Sequence, residues 1–424
     1  MKDEKKVPKL RFKGFTDDWE QCKLGDLADR VTTKNKGMVS ELPLTISAQD
    51  GLISQDEFFN KKVASKDLSS YLLLHHGDFA YNKSYSNGYP FGTIKRLEKY
   101  PQGVVSSLYI AFKPNSSIIS DFMAQYYESN NWHKEIYKCA AEGARNHGLL
   151  NVPPSDFFAT NLNIPITKSE QLKIGRLLNA VDQTITLHEE KKRQLERLKS
   201  ALMQKMFADK SGYPAVRFNG FCDEWKKQKL GDIVETITDY VAAGSFASLR
   251  ENVIYRSEPC YAQLIRTADL KSNFSKIAPV YVDKQAFDFL YRVSLDKESV
   301  ILPNIGNCGE VYYVDPHELP YMRNVLGPNA ILIRSSSLNN HFLSILFQSH
   351  NFQKSLKLII SPNGQTKFNK TELKRIKMVL PMDVNEQNSL SAFFKMINTA
   401  ISLQEHKSNI LKELKSSLLQ NMFI

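Results

Sequence analysis

The sequence predicts an α+β chain. It consists of two similar mixed α/β domains and two long helices that carry one coiled-coil seam pattern each and pair with each other, a tandem repeat. Three observations predict this. A long helical stretch, residues 169–207, returns near the end of the chain. A turn-rich motif, residues 8–27, returns at 214–233. Between motif and helix, both halves show the same order of strand-like and helix-like runs.

Residues 169–207 contain no Pro and one Gly, Gly175, and are dominated by Leu, Lys, Glu, Gln, Arg, Met and Ala, all good helix formers. Ser169 is the expected N-cap, and Gly212 and Pro214 follow the end. Unbroken, such a helix reaches roughly 55 to 60 Å. Leu178, Val181, Ile185, Leu195, Leu202 and Met206 fall at coiled-coil spacing, with His188, Lys192 and Lys199 interrupting the seam. Residues 165–207 align without a gap on 381–423, and from Ile185 onward 12 of 23 positions are identical. The second seam is therefore Phe394, Ile397, Ile401, Leu411, Leu418 and Met422. The matched pairs include Glu170-Gln171 with Glu386-Gln387 and Met206-Phe207 with Met422-Phe423.

The leading motif is identical at 11 of 20 positions, including Arg11/Arg217, Trp19/Trp225 and Gly25-Asp26/Gly231-Asp232. The two Trp are expected as core anchors. The duplication divides the chain into a first domain at 1–162, a spacer helix at 163–210, a second domain at 211–378 and a second spacer helix at 379–424. In the first domain, strands are expected at 42–46, 72–74, 78–81 and 104–112, and a helix at 118–141. In the second, strands are expected at 262–265, 300–302, 311–314 and 330–334, and a helix near 338–358.

The chain has 424 residues, too many for one ordinary domain. Its apolar content of 42% is that of a well-cored soluble protein. No apolar run approaches the roughly 20 residues of a membrane span, and the N-terminus has no signal-peptide core, so a cytoplasmic protein without membrane contact is expected. Five scattered cysteines with no C-x-x-C imply free thiols. The formal charge of +11 favours a polyanionic partner, nucleic acid first.

Catalytic signatures are missing. There is no phosphate-binding G-x-x-x-x-G-K-[ST] and no G-x-G-x-x-G. Residues 151–155 come nearest to the Asn-Pro-Pro-Tyr of amino-methyltransferases, but Val152 splits the motif and Ser155 stands where an aromatic is needed. The histidines show no metal-ligand spacing. Neither catalytic, cofactor-binding nor metal-ligating residues are assigned.

The variable segments instead offer groups suited to DNA. Lys83, Tyr85 and Asn87 lie in one polar loop, and Arg145 and Asn146 in another bounded by glycines. The second half offers Asn304 and Asn307, then Arg323, then Asn363, Gln365 and Lys367. Arg pairs with guanine, Asn and Gln pair with adenine, and Lys and Tyr more often hold phosphate. Glycine and asparagine also favour ordinary turns.

Over nearly its whole length the chain resembles the specificity (S) subunits of type I restriction-modification systems. The resemblance rests on R-F-x-G-F-x-x-x-W-x-x-x-x-L-G-D before each variable region, P-x-x-x-x-E-Q at each helix start, and L-x-Q-x-M-F at each helix end. It implies an α+β pseudo-two-fold tandem repeat in which two target recognition domains are separated by two long helices packed as an antiparallel coiled coil, each domain reading one half of a bipartite asymmetric double-stranded DNA target. The helices would set the spacing, about one DNA turn or 34 Å being the natural unit. It further implies a non-catalytic adaptor that docks two methyltransferase (M) subunits and, through the complex, restriction/translocase (R) subunits. S-adenosylmethionine, ATP and Mg2+ would belong to those partners, with no cofactor on this chain. Outer-face residues Glu189, Lys191, Arg193, Arg197 and Lys205 are candidate docking positions. Competing readings are a coiled-coil interaction scaffold without DNA reading and a self-sufficient methyltransferase or nuclease with degenerate motifs.

Overall fold

One four-stranded antiparallel sheet is built twice. In the computed structural model, which describes residues 6–61, 64–65, 67–84, 88–140, 150–209, 211–361 and 366–424, the first copy has the order Ala28–Arg30, Ile110–Pro114, Phe79–Asn82, Thr93–Arg96. The second has the order Thr236–Asp239, Ala330–Arg334, Ser299–Pro303, Tyr312–Val314. The two sheets belong to different units: one comprises Met1–Glu190 with Glu405–Ile424, the other Lys191–Gln404. Each long helix, Lys168–Lys205 and Val384–Met422, starts in one unit and ends in the other. Among the described residues no helix is long and apolar enough to cross a membrane, and all five cysteines are free.

Two expectations are corrected. The strand expected at 104–112 is two, Gln102–Val105 and Ile110–Pro114, in different sheets; exposed Ser107 and Leu108 turn the chain between them. The helix expected at 118–141 is Ser120–Glu128 followed by His133–Ala140, and the one expected near 338–358 is Asn340–Gln348 followed by His350–Ile359. A serine stands at both breaks. The Ser129 hydroxyl donates to the Tyr126 carbonyl at 2.6 Å, and the Ser349 hydroxyl accepts from the Phe352 amide to cap the next helix. Serine side chains compete for backbone groups in this way, which the apolar pattern alone does not reveal. The N-cap of the first long helix falls two residues before the expected Ser169, where Thr167 Oγ1 accepts from the Glu170 amide; in the second long helix Asp383 accepts from the Asn385 amide.

Each unit is closed by its leading motif. Arg11 donates through Nε and Nη2 to both carboxylate oxygens of Glu170, at 2.6 and 2.8 Å. Arg217 does the same with Glu386, at 2.7 and 2.8 Å. The side chains of Glu170 and Glu386 are 1% and 2% exposed, so each carboxylate depends on its guanidinium. The neighbouring glutamines work identically. Gln171 accepts from the Ile119 amide and donates to the Pro165 carbonyl. Gln387 accepts from the Asn339 amide and donates to the Pro381 carbonyl. Trp19 and Trp225 are each 2% exposed, as core anchors should be. The Trp225 indole donates to Glu386 at 3.2 Å, whereas the Trp19 indole N–H finds no partner among the described residues.

The helix ends complete these cores. In the second unit Phe207 packs on Trp225, Phe342 and Phe394, and the Lys205 carbonyl accepts from the Val216 amide. In the first unit the same place is taken by the end of the chain. Phe423 packs on Trp19, Phe122 and Tyr126, and the Asn421 carbonyl accepts from the Leu10 amide.

Within each unit the two helices run antiparallel. In the first, Asp182 pairs with Lys415 at 2.6 Å and Glu189, later in its helix, with the earlier Lys412 at 2.5 Å. Glu189 is thus engaged, while Lys191, Arg193, Arg197 and Lys205 are exposed. In the second, Leu202 and Met206 share a core with Phe394, Ile397 and Ile401. Leu178, Val181, Ile185, Met206, Phe394, Ile397 and Met422 are buried, and Leu195, Leu202, Ile401, Leu411 and Leu418 half-buried. The polar residues His188, Lys192 and Lys199 keep the same register half-buried, and Lys199 donates to Gln348 at 3.2 Å.

Where the long helix crosses the first helix of the sheet's helix pair, the copies differ. In the first unit Gly175 permits the crossing, since a Cβ there would lie 2.8 Å from Asp121 Cβ. In the second unit Ser391 stands at the matching position, and its hydroxyl shares a 2.8 Å hydrogen bond with His341 Nδ1.

Replacing Arg217 by Ala strands the Glu386 carboxylate and should cost about 3 kcal/mol in urea unfolding followed by Trp fluorescence, with partial recovery in Arg217→Ala/Glu386→Leu; a loss below about 1 kcal/mol would show the pair to be dispensable. Burial, then Lys395 and Lys199, hold the His341 imidazole down at about 4. The unfolded chain takes up that proton near 6.5, so stability should fall as pH drops from 6.5 to 4 and level off below. Discounted for partial exposure, the effect is about 1 to 2 kcal/mol, and His341→Asn should flatten it in urea midpoints measured across that window.

Candidate nucleic-acid interface

The second strand in sequence of each sheet, third in its spatial order, ends at a loop that meets a second, distant segment. In the first unit, Phe79–Asn82 runs into Lys83, whose carbonyl accepts from the Leu150 amide at 3.0 Å. The Lys83 ammonium turns back to the Val152 carbonyl at 3.4 Å, and burial lowers its pKa. In the second unit, Ser299–Pro303 runs into Asn304, whose carbonyl accepts from the Phe368 amide at 3.1 Å. Leu150 and Phe368 are both buried and lead into the short helices Pro154–Phe158 and Lys370–Arg375. The same sheet edge therefore brings together the same two loops in both copies, with different residues on them.

Ile305 and Lys367 form an isolated antiparallel bridge. The Gly306 amide donates to the Thr366 carbonyl at 2.9 Å, and the Thr366 hydroxyl donates to the Gly306 carbonyl at 2.6 Å. Asn307 and Lys367 are exposed on the two sides of this clasp. Asn304 is half-buried, and its amide reaches the Phe368 carbonyl at 3.5 Å, so its side chain braces the loops. Arg323 is not part of this group. It is exposed before the strand Asn324–Leu326 of the other sheet, with its guanidinium over the Tyr261 ring at 4.6 Å. Tyr85, Asn87, Arg145, Asn146, Asn363 and Gln365 lie outside the described residues.

Several cations are already committed. Arg266 is held bidentately by Asp269 at 2.8 and 2.6 Å. Arg96 pairs with Asp121 and Glu98, Lys95 with Glu128, and Lys370 with Asp239. The near-methyltransferase string is structural: Val152 is 1% exposed in the core, and Pro153 and Pro154 open a helix. Sequence reasoning found the loops but not the pairing of Arg11 with Glu170 and Arg217 with Glu386. The available signal was that both partners survive in both copies while the intervening segments diverge.

Residues 222–413 match the family model described as the type I restriction modification DNA specificity domain. The chain is also similar to the S subunit of a type I restriction-modification system from M. genitalium, at 15% identity over 99% of each chain, with a TM-score of 0.59. A second similar structure comes from work on complex assembly and conformational transition of the type I R-M system, at 16% identity over 96% of this chain and 97% of that one, with a TM-score of 0.51. At these identities the likeness is one of fold.

The loop at Lys83 is set by Gly92, which has φ +76°. A Cβ there would lie 2.2 Å from the Asn82 carbonyl oxygen. Gly92→Ala must open the hairpin and should cost more than about 2 kcal/mol in urea unfolding; an unchanged midpoint would mean that this loop is not held as described.

Proposed function

We propose that the whole chain, whose residues 222–413 match the model of the type I restriction modification DNA specificity domain, is the DNA sequence-specificity subunit of a type I restriction-modification complex. Residues 1–162 and 211–378 are its target recognition domains, each reading one half of a bipartite asymmetric target in double-stranded DNA. The helical segments 163–210 and 379–424 set the spacing of the half-sites and dock two methyltransferase subunits, through which restriction/translocase subunits join. The chain performs no chemistry itself. S-adenosylmethionine, ATP and Mg2+ belong to those partners, and the complex works on DNA in the cytoplasm.

The observation that carries this reading is the repeated sheet edge with different fillings. The frame is duplicated to the level of Arg–Glu and Gln contacts. The loops that meet at Lys83–Leu150 and at Asn304–Phe368 differ in residue type. An identical frame holds two readers alike, and different loops give them different half-sites. On this reading Lys83, Tyr85, Asn87, Arg145 and Asn146 face one half-site, and Asn307, Asn363, Gln365 and Lys367 the other, with Asn304 bracing their loops and Arg323 beside it. Lys contacts would hold phosphate, and Arg, Asn and Gln would read base edges.

Methylome sequencing of cells expressing the chain with its methyltransferase subunit should reveal a gapped, asymmetric motif that needs both proteins. Exchanging residues 28–160 for those of another specificity subunit should change one half of that motif and leave the other. A soluble, associated pair that modifies no motif would contradict the assignment and favour the scaffold.

A further inference from the structure

The small ladders that close the two units share a geometry and differ in charge. In the second unit Lys226–Lys229 pairs with Lys377–Leu380, placing Lys227 opposite Val379 and Lys229 opposite Lys377. Met378 and Leu380 are buried, so Lys227, Lys229 and Lys377 share the other face, where all three are exposed. The helix Lys370–Arg375 ends beside this ladder, the next carbonyl, of Ile376, accepting from the Leu230 amide at 2.8 Å. Lys374 lies over Gly231, where a Cβ would come within 3.1 Å of Lys374 Cβ. Lys374 and Arg375 are exposed and extend the cationic face. Among the described residues none of these five side chains pairs with a carboxylate. Lys229 and Lys377 stand directly opposite, an arrangement that weakens a ladder unless an anion lies between.

The fold does not require this charge. In the first unit the corresponding residues are Gln21, Lys23, Asn161, Phe158 and Ala159. Lys23 stands opposite Asn161, and Phe158 lies against Gly25 as Lys374 does against Gly231. One cation stands where the second unit has five.

The platform adjoins the second loop edge. The Phe368 amide bonds the Asn304 carbonyl, Asn369 caps the helix through the Glu372 amide, and that helix carries the chain about 9 Å to Lys374 and Arg375. This is about three rises of a DNA strand at 3.4 Å. The geometry points to a phosphodiester-binding platform: the face formed by Lys227, Lys229, Lys374, Arg375 and Lys377 takes the DNA backbone beside the half-site of the second unit, and the first unit has no counterpart. This rests on the DNA-reading function proposed above.

The test uses the full chain in complex with its methyltransferase subunits and a fluorescent mixed-sequence duplex, with anisotropy titrations over a range of KCl. The variant Lys227→Gln/Lys229→Gln/Lys377→Gln should make the slope of log K against log salt shallower by about two to three, as three lost phosphate contacts require. Lys23→Gln should change it by about one at most. Size-exclusion chromatography should show the triple variant still bound to its partners. An unchanged slope in the triple variant, with steep salt dependence in the wild type, would overturn the platform and leave the DNA-reading function standing. A triple variant that loses its methyltransferase subunits while keeping the slope would make the face a protein dock and overturn the proposal. Salt-independent or absent DNA binding by the wild-type complex would overturn both readings.

Discussion

A buried carboxylate held by one guanidinium sets the architecture of each unit. Glu170 and Glu386 sit at the start of a long helix, out of water, and each is satisfied by an arginine far away in sequence. The pairs span 159 and 169 residues. A fork-on-fork contact of this kind fixes orientation as well as distance, so the leading motif, the helix start and the sheet's helix pair, reached through Gln171 or Gln387, are fixed together. Between these fixed points the chain can change without disturbing the closure. Loop closure grows only slowly more costly with length, and the second variable segment is the longer of the two.

Under the proposed function, this separation of frame from filling is what a modular reader of DNA needs. Base readout depends on a few side chains at defined positions, while most of the interface positions the protein. A sheet whose edge always brings the same two loops together supplies the positions. Under the proposed function, substituting those loops would change the readout at little cost to the core, because Leu150 and Phe368 are buried in their respective copies. Under the same proposal the helices, each of them continuous secondary structure, would meet the second requirement, a set spacing of the half-sites.

Much of the fold was legible because the chain states it twice. Two copies of one motif order identify the frame, and the seam register could be read through its polar interruptions because the heptad spacing continues across His188, Lys192 and Lys199. Breaks within apolar runs were not legible. The serines that end the helices at Ser129 and Ser349 act through single side-chain hydrogen bonds, and periodicity averages over these. Nor could a pattern along the chain show which arginine meets which glutamate. The loops were found by composition, but their convergence is a tertiary fact. The bracing role of Asn304 and the separate location of Arg323 arise only in the folded chain.

The most direct test is selection of bound duplexes from a random-sequence library by the chain assembled with its methyltransferase subunits. Two different short motifs at one fixed spacing would be enriched if two unlike readers are held by one frame. A single contiguous motif, a symmetric one, or two motifs at freely varying spacing would contradict it.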